Sequence, residues 1–83
     1  MKVYVRLGAG LAHLATSPRL VFVLEEEATV ADLLEHLRTD HPALTQRLDT
    51  AVPMISGRHA GPAETLTAGQ EVALLLPVAG GVR

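Results

Sequence analysis

The sequence predicts an α+β domain in which one main helix covers one face of a mixed sheet of four to five strands. Three observations lead there. Short alternating apolar runs, typical of half-buried strands, recur toward both ends of the chain; a single apolar stripe at helical spacing lies between them; and Gly, Pro and Ser-Pro breaks separate the segments. The chain of 83 residues has room for one domain, whose core is only marginally stabilising at this size. Hydrophobic residues make up 48% but aromatic ones 2%, so that core has to be built from Leu, Val and Ala with one Phe.

Lys2 to Leu7 alternates, with Val3, Val5 and Leu7 on one face and Tyr4 and Arg6 on the other. Gly8-Ala9-Gly10 then interrupts the strand; without a third glycine and a following helix it is a turn, not a dinucleotide fingerprint. Leu11 to Thr16 is a loose turn carrying Leu11 and Leu14 inward, and Ser17-Pro18 resets the chain. Arg19 to Leu24 is a second strand, with Leu20, Phe22 and Leu24 to one side and Val21 and Val23 to the other. Its closeness to the first suggests an antiparallel hairpin. Thr29 and Asp32 resemble a capping box opening a helix, and Val30, Leu33, Leu34 and Leu37 form a stripe that needs a sheet to cover it. Pro42 disfavours helical geometry before it, so this helix stops near Asp40-His41; Leu44 and Leu48 mark a further short helical turn. Ala51 to Ile55 reads as a third strand, and Ser56-Gly57 as a tight turn into a short extended piece, Arg58 to Ala60. Leu66 anchors a turn at Thr67-Ala68-Gly69-Gln70 before the last strand, Glu71 to Leu76. There Val72, Leu74 and Leu76 point one way, Ala73 and Leu75 the other. A hairpin, a helix laid across the sheet and a final strand returning beside the first is the β-grasp arrangement.

Several function classes drop out. A net charge of −2 with no basic run argues against nucleic-acid binding. With no cysteine there is no disulfide framework, thiolate metal site or cysteine nucleophile, so any sulfur chemistry needs sulfur from outside. The first residues enter a strand directly, and no apolar run approaches membrane-spanning length, which gives the expectation of a cytoplasmic protein without a membrane partner. His36 and His41 miss the four-residue spacing that puts two ligands on one helix face; with His13 and His59 they read as solvated surface, and no metal is expected. Asp32 and Glu35 lie opposite the apolar stripe and read as a charged helix face, and no Ser-His-Asp or phosphate-loop pattern occurs.

The end of the chain is different in kind. Leu74-Leu75-Leu76 stops at Pro77, which cannot donate to a sheet, and Val78-Ala79 leads into Gly80-Gly81, which have no Cβ and pass through narrow openings. The division is a β-grasp domain over 1–77 and a C-terminal tail over 78–83. The run Leu66 to Gly81, in which turn, acidic residue, strand, Pro-Val and Gly-Gly occur together, resembles the ubiquitin-like sulfur carriers of the MoaD/ThiS family, most nearly the small subunit of molybdopterin synthase. Val3-Tyr4-Val5-Arg6-Leu7 and Gly10-Leu11 fit more weakly. Ser56 departs from the family, where asparagine often precedes the Gly-Arg turn.

The resemblance implies a carrier, not an enzyme, holding no cofactor. A ubiquitin-activating-type adenylyltransferase would use ATP to adenylate the Gly81 carboxylate, which then becomes a thiocarboxylate. The large synthase subunit would take up Pro77, Val78, Ala79, Gly80 and Gly81 and pass the sulfur to the pterin precursor of the molybdenum cofactor. Extended, Pro77 to Gly81 spans about 15 Å, enough for a buried site. Val82 and Arg83 follow the glycine pair. Either a processing protease removes them, or they are foreign to the native chain, or carrier activity is lost. Tyr4, Arg6, Ala73 and Leu75, bordered by Arg58 and His59, are expected to form a mixed apolar and basic docking patch beside the tail, against the alternative of ordinary surface scatter. Two rival functions keep the fold: a ubiquitin-like protein modifier, or a non-reactive binding module. Sulfur carriers for thiamin, cysteine and tRNA thiolation share tail and fold, so the sequence leaves the sulfur acceptor open.

Overall fold

A computed structural model describes residues 1–15 and 17–77. The predicted tail positions Val78, Ala79, Gly80 and Gly81, together with Val82 and Arg83, lie outside the described residues. The strands are β1 (Lys2–Leu7), β2 (Arg19–Val23), β3 (Val52–Ile55), β4 (Arg58–His59) and β5 (Glu71–Leu75); the helices are α1 (Val30–Asp40) and the short α2 (Thr45–Leu48). They form one sheet in the order β2-β1-β5-β3-β4, a β-grasp fold.

The expected hairpin is present. β1 and β2 run antiparallel with Val3 opposite Phe22 and Val5 opposite Leu20, which gathers the predicted inward residues of both strands on one face. β5 returns beside β1 in parallel and also pairs with β3 in antiparallel, so the last strand lies at the centre of the sheet. Pro53 is tolerated inside β3 because its carbonyl, and hence its ring nitrogen, faces β4 and Ala60, where only a short edge remains to be paired.

Helix α1 begins as the sequence predicts. Thr29 Oγ1 accepts from the Asp32 N–H and the Asp32 carboxylate accepts from the Thr29 N–H, satisfying two donors at the helix start. Val30, Leu33 and Leu37 are fully buried against the sheet residues Val3, Val5, Val72 and Leu74, with Leu34 packed at the margin. Leu44 and Leu48 close one end of the same core. Among the described residues no charged or polar one is buried, so cohesion there is aliphatic packing. Leu11 joins the core as expected, while Leu14 is only half-buried. At the β3–β4 turn Ser56 has φ of 52° and Gly57 of 79°, so a non-glycine residue holds a left-handed conformation where asparagine fits better. No described helix is long and apolar enough to cross a membrane.

Candidate functional site

The tail leaves from the most firmly held strand. Leu74 is fully buried and sits opposite Leu7 of β1 on one side and Pro53 of β3 on the other. Its carbonyl accepts a 2.9 Å hydrogen bond from the Gly8 N–H, which extends the β1–β5 ladder to the strand end. Beyond it Leu75 is 38% exposed, Leu76 packs half-buried against the core margin, and Pro77 is exposed. A Cβ on Gly8 would lie 2.7 Å from Leu75 Cδ2 and 3.2 Å from Leu74 O; a Cβ on Gly10, whose φ is +89°, would lie 2.7 Å from Leu76 Cδ1. The turn after β1 is therefore a seat for the root of the tail. Sequence reasoning identified a turn there and missed this role; the available signal was glycine immediately following the strand that β5 joins in parallel. Arg47 of α2 and Thr50 just after it line a shallow groove with Leu76 and Pro77 on another side of the root.

Among the predicted docking residues, the structure brings five, Tyr4, Arg6, Ala73, Leu75 and His59, onto the face that α1 leaves uncovered. Tyr4 lies opposite Glu71 and Arg6 opposite Ala73, with Leu75 one step further along the same side of β5. Ala73 is 7% exposed, so it forms the floor of the patch and contributes little contact area. His59 joins the same side through its pairing with Met54, which itself pairs with Ala73; one register row runs Arg19, Arg6, Ala73, Met54, His59 across all five strands.

Arg58 does not border this patch. It pairs with the inward-facing Ile55, so its side chain leaves the sheet on the helix side, where its guanidinium grips the Glu64 carboxylate with Nη1 2.8 Å from Oε1 and a second contact from Nη2 to Oε2. That fork raises the Arg58 pKa and holds the Glu64 carboxyl below its ordinary range, in both cases chiefly through the hydrogen bonds between them. The expectation failed because the turn residues Ser56 and Gly57 reverse the chain directly, and strand alternation then separates Arg58 from His59.

Two members of the open face went unnoticed in the sequence. Glu71 lies between two arginines, 3.5 Å from Arg6 Nε and 3.5 Å from Arg19 Nε, and the Arg19 guanidinium sits 4.7 Å from the Tyr4 ring centroid. The result is a mixed face on which the strand residues Lys2, Arg6 and Arg19 outnumber Glu71. These pairs are exposed and hold side-chain positions more than they stabilise the fold. Among the described residues, no three His, Asp or Glu side chains converge as metal ligands would. His36 and His41 flank Phe22, with ring centroids 6.4 and 6.3 Å away. What this arrangement offers is a rigid body that presents a chain end beside a recognisable surface.

The ThiS family model matches residues 5–81. Small archaeal modifier protein 1 from Haloferax volcanii is 36% identical over 84 residues, covering 92% of this chain and 97% of that protein. Its crystal structure superposes with a TM-score of 0.88 at 34% identity, covering 98% of this chain and 100% of that one. A candidate molybdopterin converting factor subunit 1 from Pyrococcus furiosus gives a TM-score of 0.83 at 27% identity, covering 93% and 98%. A chain from the complex of subunits 1 and 2 of molybdopterin-converting factor of Helicobacter pylori shares the fold, with a TM-score of 0.73 at 20% identity over 98% of this chain and 100% of that one. Proteins of this kind are carriers or modifiers and not catalysts themselves. With a family match that takes in the last strand, Pro77 and the glycine pair, the chain belongs to the ThiS family of ubiquitin-like sulfur carriers.

Proposed function

We propose that this chain carries sulfur as a thiocarboxylate on Gly81 and, as the small subunit of a molybdopterin synthase, delivers it to the pterin precursor of the molybdenum cofactor. The observation that carries this reading is the placement of the tail root: β5 is paired on both sides, Leu74 is fully buried, and Leu75 to Pro77 emerge from the Gly8–Gly10 seat. A partner gripping the open face beside Leu75 thereby fixes where the following residues go. A carboxylate resists attack until it is converted to a mixed anhydride. ATP consumed by an adenylyltransferase partner supplies that activation, and a sulfur donor then displaces AMP. The domain over 1–77 is the handle and 78–83 the arm. Removal of Val82 and Arg83 by a protease exposes the reacting carboxylate.

Likeness to the P. furiosus protein supports the pterin pathway. A second reading, conjugation of the same activated Gly81 to lysines of other proteins, is favoured by the higher identity to the H. volcanii modifier. Both use one acyl-adenylate, and reconstitution separates them. A Gly81-ending thiocarboxylate mixed with a large synthase subunit and pterin precursor is expected to lose its sulfur to the pterin. If the sulfur stays on the chain while covalent conjugates that depend on Gly81 appear on a denaturing gel, the pterin reading fails and the modifier reading stands.

A further inference from the structure

The two edges of the sheet are unequal. β4 is two residues long, Arg58 and His59, and both are exposed, which blunts that edge against further pairing. β2 is five residues, Arg-Leu-Val-Phe-Val, and among the described residues nothing pairs with its outer side. On it, Val21 is 54% and Val23 72% exposed.

The hydrogen bonds show which peptide groups remain open. The Met1 ammonium donates to Leu24 O at 2.6 Å, the Leu24 N–H to Met1 O at 2.8 Å, and the Leu7 N–H to Pro18 O at 2.7 Å. Antiparallel alternation then turns the peptide groups of Leu20 and Phe22 toward β1 and those of Arg19, Val21 and Val23 outward. Those of Arg19 are already occupied: Ser17 Oγ accepts from the Arg19 N–H at 3.3 Å and donates to Arg19 O at 3.0 Å. One N–H and one C=O remain on each of Val21 and Val23.

We propose that two copies of this chain associate through their β2 edges, antiparallel, with Phe22 opposite Phe22 and Val21 opposite Val23 of the second copy. In this register each Val21–Val23 pair exchanges two main-chain hydrogen bonds, and every open group finds a partner. A shift of one pair in one direction sets Val23 against the occupied Arg19; a shift in the other sets Val21 against Glu25, beyond the strand end. Charge agrees with the pattern, because the same register places Arg19 opposite Glu25 of the second copy at both ends, and both residues are exposed. The valines meet on that face, and Leu20 meets Leu24 on the covered one. The twofold makes the two β5 strands antiparallel, so Pro77 of the two copies lies toward opposite ends of a ten-stranded sheet.

Four main-chain hydrogen bonds and two valine pairs make a small interface, at the weak end of specific association. Sedimentation and amide spectra of the full chain, followed up to about 1 mM, are expected to show a dimer with shifts confined to Ser17–Glu25. Cross-copy contacts between Val21 and Val23 methyls are expected in a mixed-label sample. Arg19→Glu and Glu25→Arg each weaken the dimer by about three- to tenfold, the two together restore it, and Val21→Lys abolishes it. A monomer throughout the range, or a dimer indifferent to Val21→Lys or not rescued by the double exchange, overturns the proposal. The methyl contacts on unaltered protein decide the matter even if a variant misfolds.

Discussion

Val5 and Arg6 are neighbours in β1, and so are Leu74 and Leu75 in β5; in each pair one residue belongs to the aliphatic core and the other faces solvent on the uncovered side of the sheet. The covered face holds Val3, Val5, Val72 and Leu74 at zero exposure against Leu33 and Leu37 of α1 and carries the stability. The open face holds Tyr4, Arg6, Arg19, Glu71 and Leu75, linked by exposed ion pairs and one arginine over a tyrosine ring, and adds little to stability. Its composition makes sense as a recognition surface. The root of the tail lies where the two faces meet, so a change in β5 falls on one role or the other according to the parity of its position.

The strongest way to break that division is to truncate adjacent leucines. Leu74→Ala is expected to cost about 2–5 kcal/mol in a denaturant titration, because the fully buried site lies between two paired strands and collapses poorly. Leu75→Ala should shift the same titration by less than about 1 kcal/mol while weakening binding to the adenylyltransferase we propose as partner, read in a direct titration. Equal stability losses from both would refute the separation of faces. Next in size, Gly10→Ala places a Cβ against Leu76 at a φ of +89° and is expected to destabilise by about 1–2 kcal/mol while slowing adenylation of a Gly81-ending chain. Slowing beyond what lost folding explains would sharpen the claim that this turn aims the tail.

Smaller effects test regions away from the root. Ser56→Asn should stabilise by up to about 1 kcal/mol in thermal unfolding, by relieving a left-handed serine, and leave partner binding unchanged. The Arg58–Glu64 fork sets a direction with pH. Glu64 titrates below its ordinary value in the folded protein, so the stability it contributes is present above the unfolded carboxyl pKa of about 4.3 and is lost as pH falls through the lowered folded value. The stability difference between the parent and Glu64→Gln, followed by denaturant titration from neutral to acid, should shrink toward zero across that window. Because the fork is exposed, the difference is small even at neutral pH.

Much of the fold was legible in the sequence because each element carried its own local signature. Alternation gave β1, β2 and β5 with the right faces, and the Thr29–Asp32 box and the Val30 to Leu37 stripe gave α1 to within a residue or two. The partners of these elements are set by geometry that no local pattern contains. Alternation gave strand faces without showing that β1 brings Glu71 and Arg19 together, and Gly8 and Gly10 read as a turn because the side chains they admit, Leu75 and Leu76, lie some 65 residues away. Arg58 was expected at the patch together with His59, yet adjacent strand residues point to opposite faces. The reading of Gly81 as a reactive end rests on residue identities alone: Gly80 and Gly81 stand out by composition and by position after Pro77.

The central claim, that Gly81 is the working end of a handle-and-arm molecule, is tested most directly by the intact mass of the protein recovered from its native cell. The account predicts a chain ending at Gly81, with a fraction heavier by the exchange of one terminal oxygen for sulfur. Finding the cellular protein uniformly ending at Arg83 would contradict it.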